Sequence, residues 1–259
     1  MADGAQTRKR KFVITRFDPD VDQVPKTQEY EIPCQSDWKV LDAINFIKDE
    51  VDPSISHRWS CRMAVCGSCG MMVNGEPKLT CKTSLDHYGD TVEIEPLANF
   101  PIVKDLVVEL EGFMDKFKAV KPWIVAAKDE AAMKAASTMK EGTYRQSTEE
   151  LMAFKQFSMC INCMLCYAAC PVVANEPDFL GPAAIALGHR YNMDTRDGGQ
   201  HERNEVFRGP GTVFSCSYAN ECSEVCPKGV DPAAAVNQAK FNAVIDWATG
   251  FVVPRGGAK

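Results

Sequence analysis

Eleven of the twelve cysteines in this chain fall into groups whose spacing suits inorganic iron–sulfur clusters. Cys61, Cys66 and Cys69 follow C-x4-C-x2-C, and eleven residues separate Cys69 from Cys81; this is the plant-type [2Fe–2S] spacing. Gly67, Ser68 and Gly70 are small enough to let backbone N–H groups approach the sulfurs, and such hydrogen bonds help to set a potential. Asn74-Gly75 is a hairpin signal that would return Cys81 on the far strand. A zinc site or a redox dithiol is the plainer alternative. Zinc motifs show paired C-x2-4-C knuckles, which this loop lacks.

Cys160, Cys163, Cys166 and Cys170, followed by Pro171, form the complete bacterial run C-x2-C-x2-C-x3-C-P. Such a run puts three thiolates on one cluster and the fourth on a neighbour. A partner run is therefore required, and Cys216, Cys222, Cys226 and Pro227 supply it. Where its second cysteine should stand there is Ala219. Crossing the fourth ligands gives Cys160, Cys163, Cys166 and Cys226 as a full [4Fe–4S] set and leaves Cys170, Cys216 and Cys222 as three. Alanine offers no donor atom, so either a [3Fe–4S] cluster or a [4Fe–4S] cluster with one open iron results. An open iron used for hydration chemistry needs acid–base groups, and Ser217, Tyr218 and Asn220 are not such a set. The three-iron form is favoured.

Cys34 remains, at the end of a strand-like segment, and reads as a buried small hydrophobe. His57, His87, His189 and His201 are scattered, none at ligand spacing from another.

The elements that must position these ligands divide the chain. Lys11–Phe17 and Gln28–Ile32 read as strands, with Asp18–Pro25 as the turn between them. Asp37–Ile47 has helical spacing, with Ser36 or Asp37 as N-cap. Gly70–Val73 and Thr91–Glu95 are strand-like. After Pro96 and Pro101 the pattern turns helical: Asp105–Phe117, Pro122–Met139, Glu149–Phe157, Pro182–Tyr191 and Pro232–Trp247. The expected class is α+β, a plant-type ferredoxin β-grasp domain over residues 1–104 and an all-α bacterial ferredoxin-like domain over 105–259.

Composition narrows the function. A net charge of -6 argues against a nucleic-acid binder, and the basic run Arg8–Lys11 reads as a solvated end. No stretch reaches the roughly 18 apolar residues a membrane span needs, and the N-terminus lacks the apolar core of a secretory signal. A reducing compartment is expected, where twelve cysteines call for ligation rather than disulfides.

The words Arg58-Trp-Ser-Cys-Arg-Met-Ala-Val-Cys-Gly-Ser-Cys-Gly70, Cys160-Ile-Asn-Cys-Met-Leu-Cys166, Gly181-Pro-Ala-Ala-Ile185, His189-Arg-Tyr-Asn192 and Cys222-Ser-Glu-Val-Cys-Pro-Lys228 resemble the iron–sulfur subunits of the succinate:quinone oxidoreductases. The resemblance runs from the first strand to about Trp247. It implies a chain of [2Fe–2S], [4Fe–4S] and [3Fe–4S] centres between FAD on a flavoprotein subunit and a quinone. One or two membrane-anchor subunits would hold the chain peripherally at the cytoplasmic face of the bacterial plasma membrane. Succinate or fumarate chemistry would belong to the flavin partner, leaving no catalytic acid or base here. The resemblance implies a shared quinone pocket beside the three-iron centre, around Pro171, Ser217 and Ala219. Ala174 and Asn175 stand where ubiquinone-linked members carry two tryptophans, and Lys240 matches a lysine used towards menaquinone. An ordinary helix-surface lysine is the bland reading of Lys240. Phe179, Leu180, Phe207 and Phe214 are candidates for the apolar face towards the anchors, with core packing as their plainer role. The rivals are an iron–sulfur subunit of another flavin-linked respiratory dehydrogenase, a free-standing ferredoxin and a zinc-stabilised interaction protein.

Overall fold

Alternation along the first strand sets the sheet. The structure, a computed structural model, describes residues 7–125 and 146–251. In β1 (Arg8–Arg16) Arg10, Phe12 and Ile14 are buried while Arg8 and Lys9 face solvent. β1 pairs antiparallel with β2 (Lys26–Cys34), from Arg8 opposite Cys34 to Arg16 opposite Lys26. β3 (Gly70–Val73) and β4 (Glu76–Leu79) form the hairpin expected at Asn74-Gly75, whose φ values of 49° and 77° are those of a tight primed turn. β5 (Thr91–Glu95) lies parallel to β1 and completes the order β2-β1-β5-β3-β4. Helix α1 (Val40–Phe46) packs Val40, Ala43 and Ile44 with Phe12, Ile14, Ile32, Val73, Val92 and Ile94. Each large aliphatic side chain so buried contributes about 1.5–3 kcal/mol.

Two sequence expectations shift here. The helix begins at Val40 rather than Asp37, because Lys39 pairs across to Ser84 as an isolated bridge and its N–H donates to Asp42 Oδ2 at 2.9 Å. Asp105 opens no helix either. It turns the hairpin of β6 (Ile102–Lys104) and β7 (Val107–Val108) with φ 47°. Its buried carboxylate accepts from Arg16 Nε at 2.9 Å and from the N–H groups of Phe17 and Ser56 at 3.0 and 2.8 Å. Arg16 also reaches Asp52 Oδ2 at 2.7 Å, a long-range network that local pattern does not reveal.

Contacts divide the chain into Met1–Glu111 with Ile161–Ala169, and Gly112–Cys160 with Cys170–Lys259. Segment 161–169 belongs to the first unit because Asn99 Nδ2 donates to the carbonyls of Tyr167 and Ala168 at 3.1 and 3.0 Å, and Phe100 lies 5.0 Å from the Tyr167 ring.

The second unit is helical. After α2 (Glu111–Ala119) come α3 (Thr148–Ser158), α4 (Pro182–Asn192), α5 (Gln200–Arg208) and α6 (Pro232–Thr249). The stripe Ala235, Val236, Ala239 and Ala243 buries α6 against α4 and α5. Residues 122–125 are irregular, and the rest of the helix expected over Pro122–Met139 lies outside the described residues. Phe179, Leu180 and Phe207 are core, whereas Phe214 is exposed. Among the described residues no helix is long and apolar enough to cross a membrane.

Candidate metal centre

The plant-type loop curls around its first cysteine. Arg62, Ala64 and Gly67 all take positive φ, 55°, 55° and 76°, and this winding turns several N–H groups inward. Cys61 Sγ accepts from the N–H groups of Met63, Val65 and Cys66 at 3.4, 3.3 and 3.4 Å. Those donors hold the Cys61 thiol down to about 6. Cys66 is exposed beside it.

Cys69 is the opposite case. Its side chain is buried, and burial pushes its thiol up to about 11, with the Cys81 N–H partly offsetting this. Thr80 N–H and Oγ1 both donate to the Cys69 carbonyl, at 3.1 and 3.0 Å, and so bring Cys81 against it. Cys81 lies two residues past the end of β4, in the turn that follows, not within the strand itself. The loop thus brings Cys61 to Cys66 and Cys69 to Cys81, two thiol pairs that would hold a two-iron cluster. Among the described residues no three His, Cys, Asp or Glu side chains converge on a point that one metal ion could occupy.

The bacterial-type runs share one backbone. In the first, Asn162 and Met164 take φ 52° and 65°; in the second, Tyr218 and Asn220 take 62° and 63°. Helical turns Leu165–Ala168 and Glu221–Glu224 start at the same step after each. Ala219 therefore stands at the place in its run that Cys163 has in the first, between two left-handed residues, and lacks the sulfur. In the first unit Cys163 is buried and Cys166 half-buried; in the second, Cys160 and Cys226 pack on Phe157, Ala186, Val230 and Ala235.

Cys170, Cys216 and Cys222 line a single cavity of the second unit, together with Pro171, Ser217 and Ala219. Burial raises the Cys170 thiol against the N–H groups of Val173 and Val172, and pushes Cys222 up to about 11. Three soft donors thus surround one space, with the Ala219 methyl in its wall, a donor set that would give a cluster three protein ligands. Lys240 is not on the cavity wall. Its Nζ donates to the Cys216 carbonyl at 3.2 Å and sits 4.0 Å from the Tyr218 ring centroid, whose OH donates to Asn237 Oδ1 at 2.8 Å. From sequence Tyr218 enters only as an acid–base group beside an open iron and is set aside; its place under Lys240 gives no signal in the residue pattern.

The remaining candidates have local explanations. Cys34 is in the sheet core, where burial raises its thiol. His57 meets Asn45 Oδ1 at 2.8 Å, and burial lowers it to about 4. His189 meets Gln238 Oε1 at 2.8 Å, and His201 meets Asp246 Oδ2 at 3.1 Å.

Comparison with known proteins agrees with this geometry. Residues 11–115 match the family model of the 2Fe-2S iron-sulfur cluster binding domain, and residues 156–230 that of the 4Fe-4S dicluster domain. The fumarate reductase iron-sulfur subunit of Mycobacterium tuberculosis is 49% identical over 94% of this chain and 96% of its own length. That of Escherichia coli O157:H7 is 46% identical over 97% and 100%. The succinate dehydrogenase iron-sulfur subunit of Coxiella burnetii is 34% identical over 92% and 99%. Among solved structures, a chain of the Mycobacterium smegmatis Sdh1 complex in the apo form superposes with a TM-score of 0.82 at 26% identity, covering 97% of this chain and all of that one. With a two-iron domain ahead of a dicluster domain, and near-full-length identity approaching half, this chain belongs to the iron–sulfur subunits of the fumarate reductases and succinate dehydrogenases.

Proposed function

We propose that this chain carries electrons between FAD on a flavoprotein subunit and a membrane quinone, with Cys61, Cys66, Cys69 and Cys81 holding a [2Fe–2S] cluster. Cys160, Cys163, Cys166 and Cys226 hold a [4Fe–4S] cluster, and Cys170, Cys216 and Cys222 a [3Fe–4S] cluster. Bound clusters supply one-electron redox steps, into which a flavin's electron pair must be divided. The chain's own contribution is electrostatic and steric. Peptide N–H groups at Cys61 stabilise sulfur charge, burial at Cys69 and Cys170 excludes water, and the methyl of Ala219 withholds a fourth ligand. The observation that carries the reading is the repeated backbone of the two runs with alanine in place of one cysteine. Iron and sulfide analysis with electron paramagnetic resonance of the purified complex tests it. About nine irons per chain, an oxidised-state three-iron signal and two reduced-state signals are expected; zinc in place of iron would sink it.

At the quinone end, Pro171, Ser217 and Ala219 form the wall of the three-iron cavity, and Lys240, anchored on the Cys216 carbonyl, adds a cation beside it. A half-buried ammonium suits a reduced or semi-reduced quinone oxygen, and the absence of the tryptophan pair at Ala174 and Asn175 favours menaquinone. Replacing Lys240 with Ala should lower turnover with a menaquinone analogue while leaving reduction of an artificial dye by the flavoprotein intact. The chain sits peripherally at the cytoplasmic face of the plasma membrane, against one or two anchor subunits. Exposed Phe214, Phe241, Val244, Ile245 and Phe251 support that placement.

A further inference from the structure

Gly67 is wedged where no side chain fits. A β-carbon built on it would lie 2.9 Å from Cys163 Cα, 3.0 Å from Cys163 Cβ and 3.1 Å from the Ile161 carbonyl oxygen. Gly70, three positions on, meets the same residue: its β-carbon would lie 3.2 Å from the Cys163 carbonyl and 3.2 Å from Leu165 Cδ2. The loop that carries Cys66 and Cys69 is thus in backbone contact with Cys163, all within the first unit. Asn99 holds the far end of the same segment through the Tyr167 and Ala168 carbonyls. Two glycines flanking Ser68 and Cys69, both closed against one cysteine, are more than a turn requires. Gly75 shows this, having a φ of 77° like Gly67 but open space around it.

We propose that Gly67 is a positioning residue for electron transfer. Its missing side chain lets the plant-type ligand loop touch Cys163, so that an electron leaving one centre crosses protein bonds and a van der Waals contact rather than a wider gap. This rests on the ligand assignment proposed above. One electron moves, oxidising the first centre and reducing the second; no bond forms or breaks and no proton is taken up. Gly70 and Asn99 keep the contact closed.

The test compares the assembled complex carrying Gly67→Ala with one carrying Gly75→Ala, which imposes a similar backbone penalty without a neighbour to displace. The magnetic interaction between the two reduced centres falls as the cube of their separation and is read from the power saturation of their resonance signals. Freeze-quench after reduction by a dithionite pulse reads the rate at which the second centre fills. Gly67→Ala should keep both signals at full intensity, weaken their interaction and slow the transfer several-fold, while Gly75→Ala changes neither. Full signals with unchanged interaction and rate in Gly67→Ala would overturn the proposal. If that variant loses a centre, Gly70→Ala reads the same property through a milder push on Cys163, and an unchanged interaction there overturns it equally. Failure of the ligand assignment looks different, since the unsubstituted complex itself would then lack one of the two signals.

Discussion

At Cys61 a negative sulfur is favoured before any iron arrives, because three peptide N–H groups already point at it. Those donors bring its thiol to about 6, whereas burial takes Cys69 to about 11. Their effects on the cluster-free protein have opposite signs. Cys61 contributes stability that is complete above the ordinary thiol range and is lost as pH falls through about 6. Cys69 opposes folding once pH climbs past the ordinary thiol range, since only the unfolded chain then ionises. Iodoacetamide at neutral pH should therefore label Cys61 well before Cys69 in the metal-free protein, as peptide mass spectrometry would show; equal labelling would contradict the assigned settings. Ala219 supports a second expectation at this scale. Its loop already has the two left-handed positions of a four-cysteine run, so Ala219→Cys adds a thiol without remodelling the backbone. The oxidised-state three-iron signal should disappear and a reduced-state four-iron signal replace it. Persistence of the three-iron signal would mean that the new sulfur does not face the cavity.

The second ligand run is held by the helix that follows it. Asp231 caps α6, its Oδ1 accepting from Ala234 N–H at 2.9 Å and from Ser223 Oγ at 2.6 Å. Ser223 in turn accepts from Ala233 N–H at 3.2 Å and stands next to Cys222. One carboxylate thus fixes both a helix start and a ligand loop. Asp231→Ala should cost about 1 kcal/mol of local stability, visible as faster hydrogen exchange at Ala233 and Ala234 and as a broadened three-iron signal. Unchanged exchange there would show that the cap contributes nothing. Elements of this kind were legible where the signal is local. The Asn74-Gly75 turn places β3 and β4, and Glu149–Phe157 falls within α3, although the capping box of Ser147 and Glu150 that starts that helix went unread. Asn162 and Asn220 also suit their left-handed positions, but Met164 and Tyr218 do not, and only the ligand geometry demands them. The start of α1 and the β6–β7 hairpin were misplaced for a related reason. Lys39 answers to Ser84 and Asp105 to Arg16, partners that lie far away in sequence.

For the molecule as a whole, the last helix bears on where a partner would dock. The inner stripe of α6, Ala235, Val236, Ala239 and Ala243, is already packed, yet its C-terminal half also shows Phe241, Val244, Ile245 and Trp247 to solvent, with Phe251 just beyond. Phe241 and Phe251 are 67% and 74% exposed, and the Trp247 and Phe251 rings meet edge to face with centroids 4.8 Å apart. A helix apolar on both sides is one that is buried on both sides, and clustered aromatic exposure of this kind marks a binding face. The chain's negative charge makes adhesion to an anionic lipid surface unfavourable, so an apolar protein anchor fits better than bare bilayer. Replacing Phe241 and Ile245 together with Glu leaves the packed stripe untouched and puts two charges on the outer face. The expected result is release of the chain, with its flavoprotein partner, from the membrane pellet into the supernatant, all three resonance signals still present. Retention in the pellet would place the anchor contact elsewhere on the second unit, with exposed Phe214 the next surface to charge.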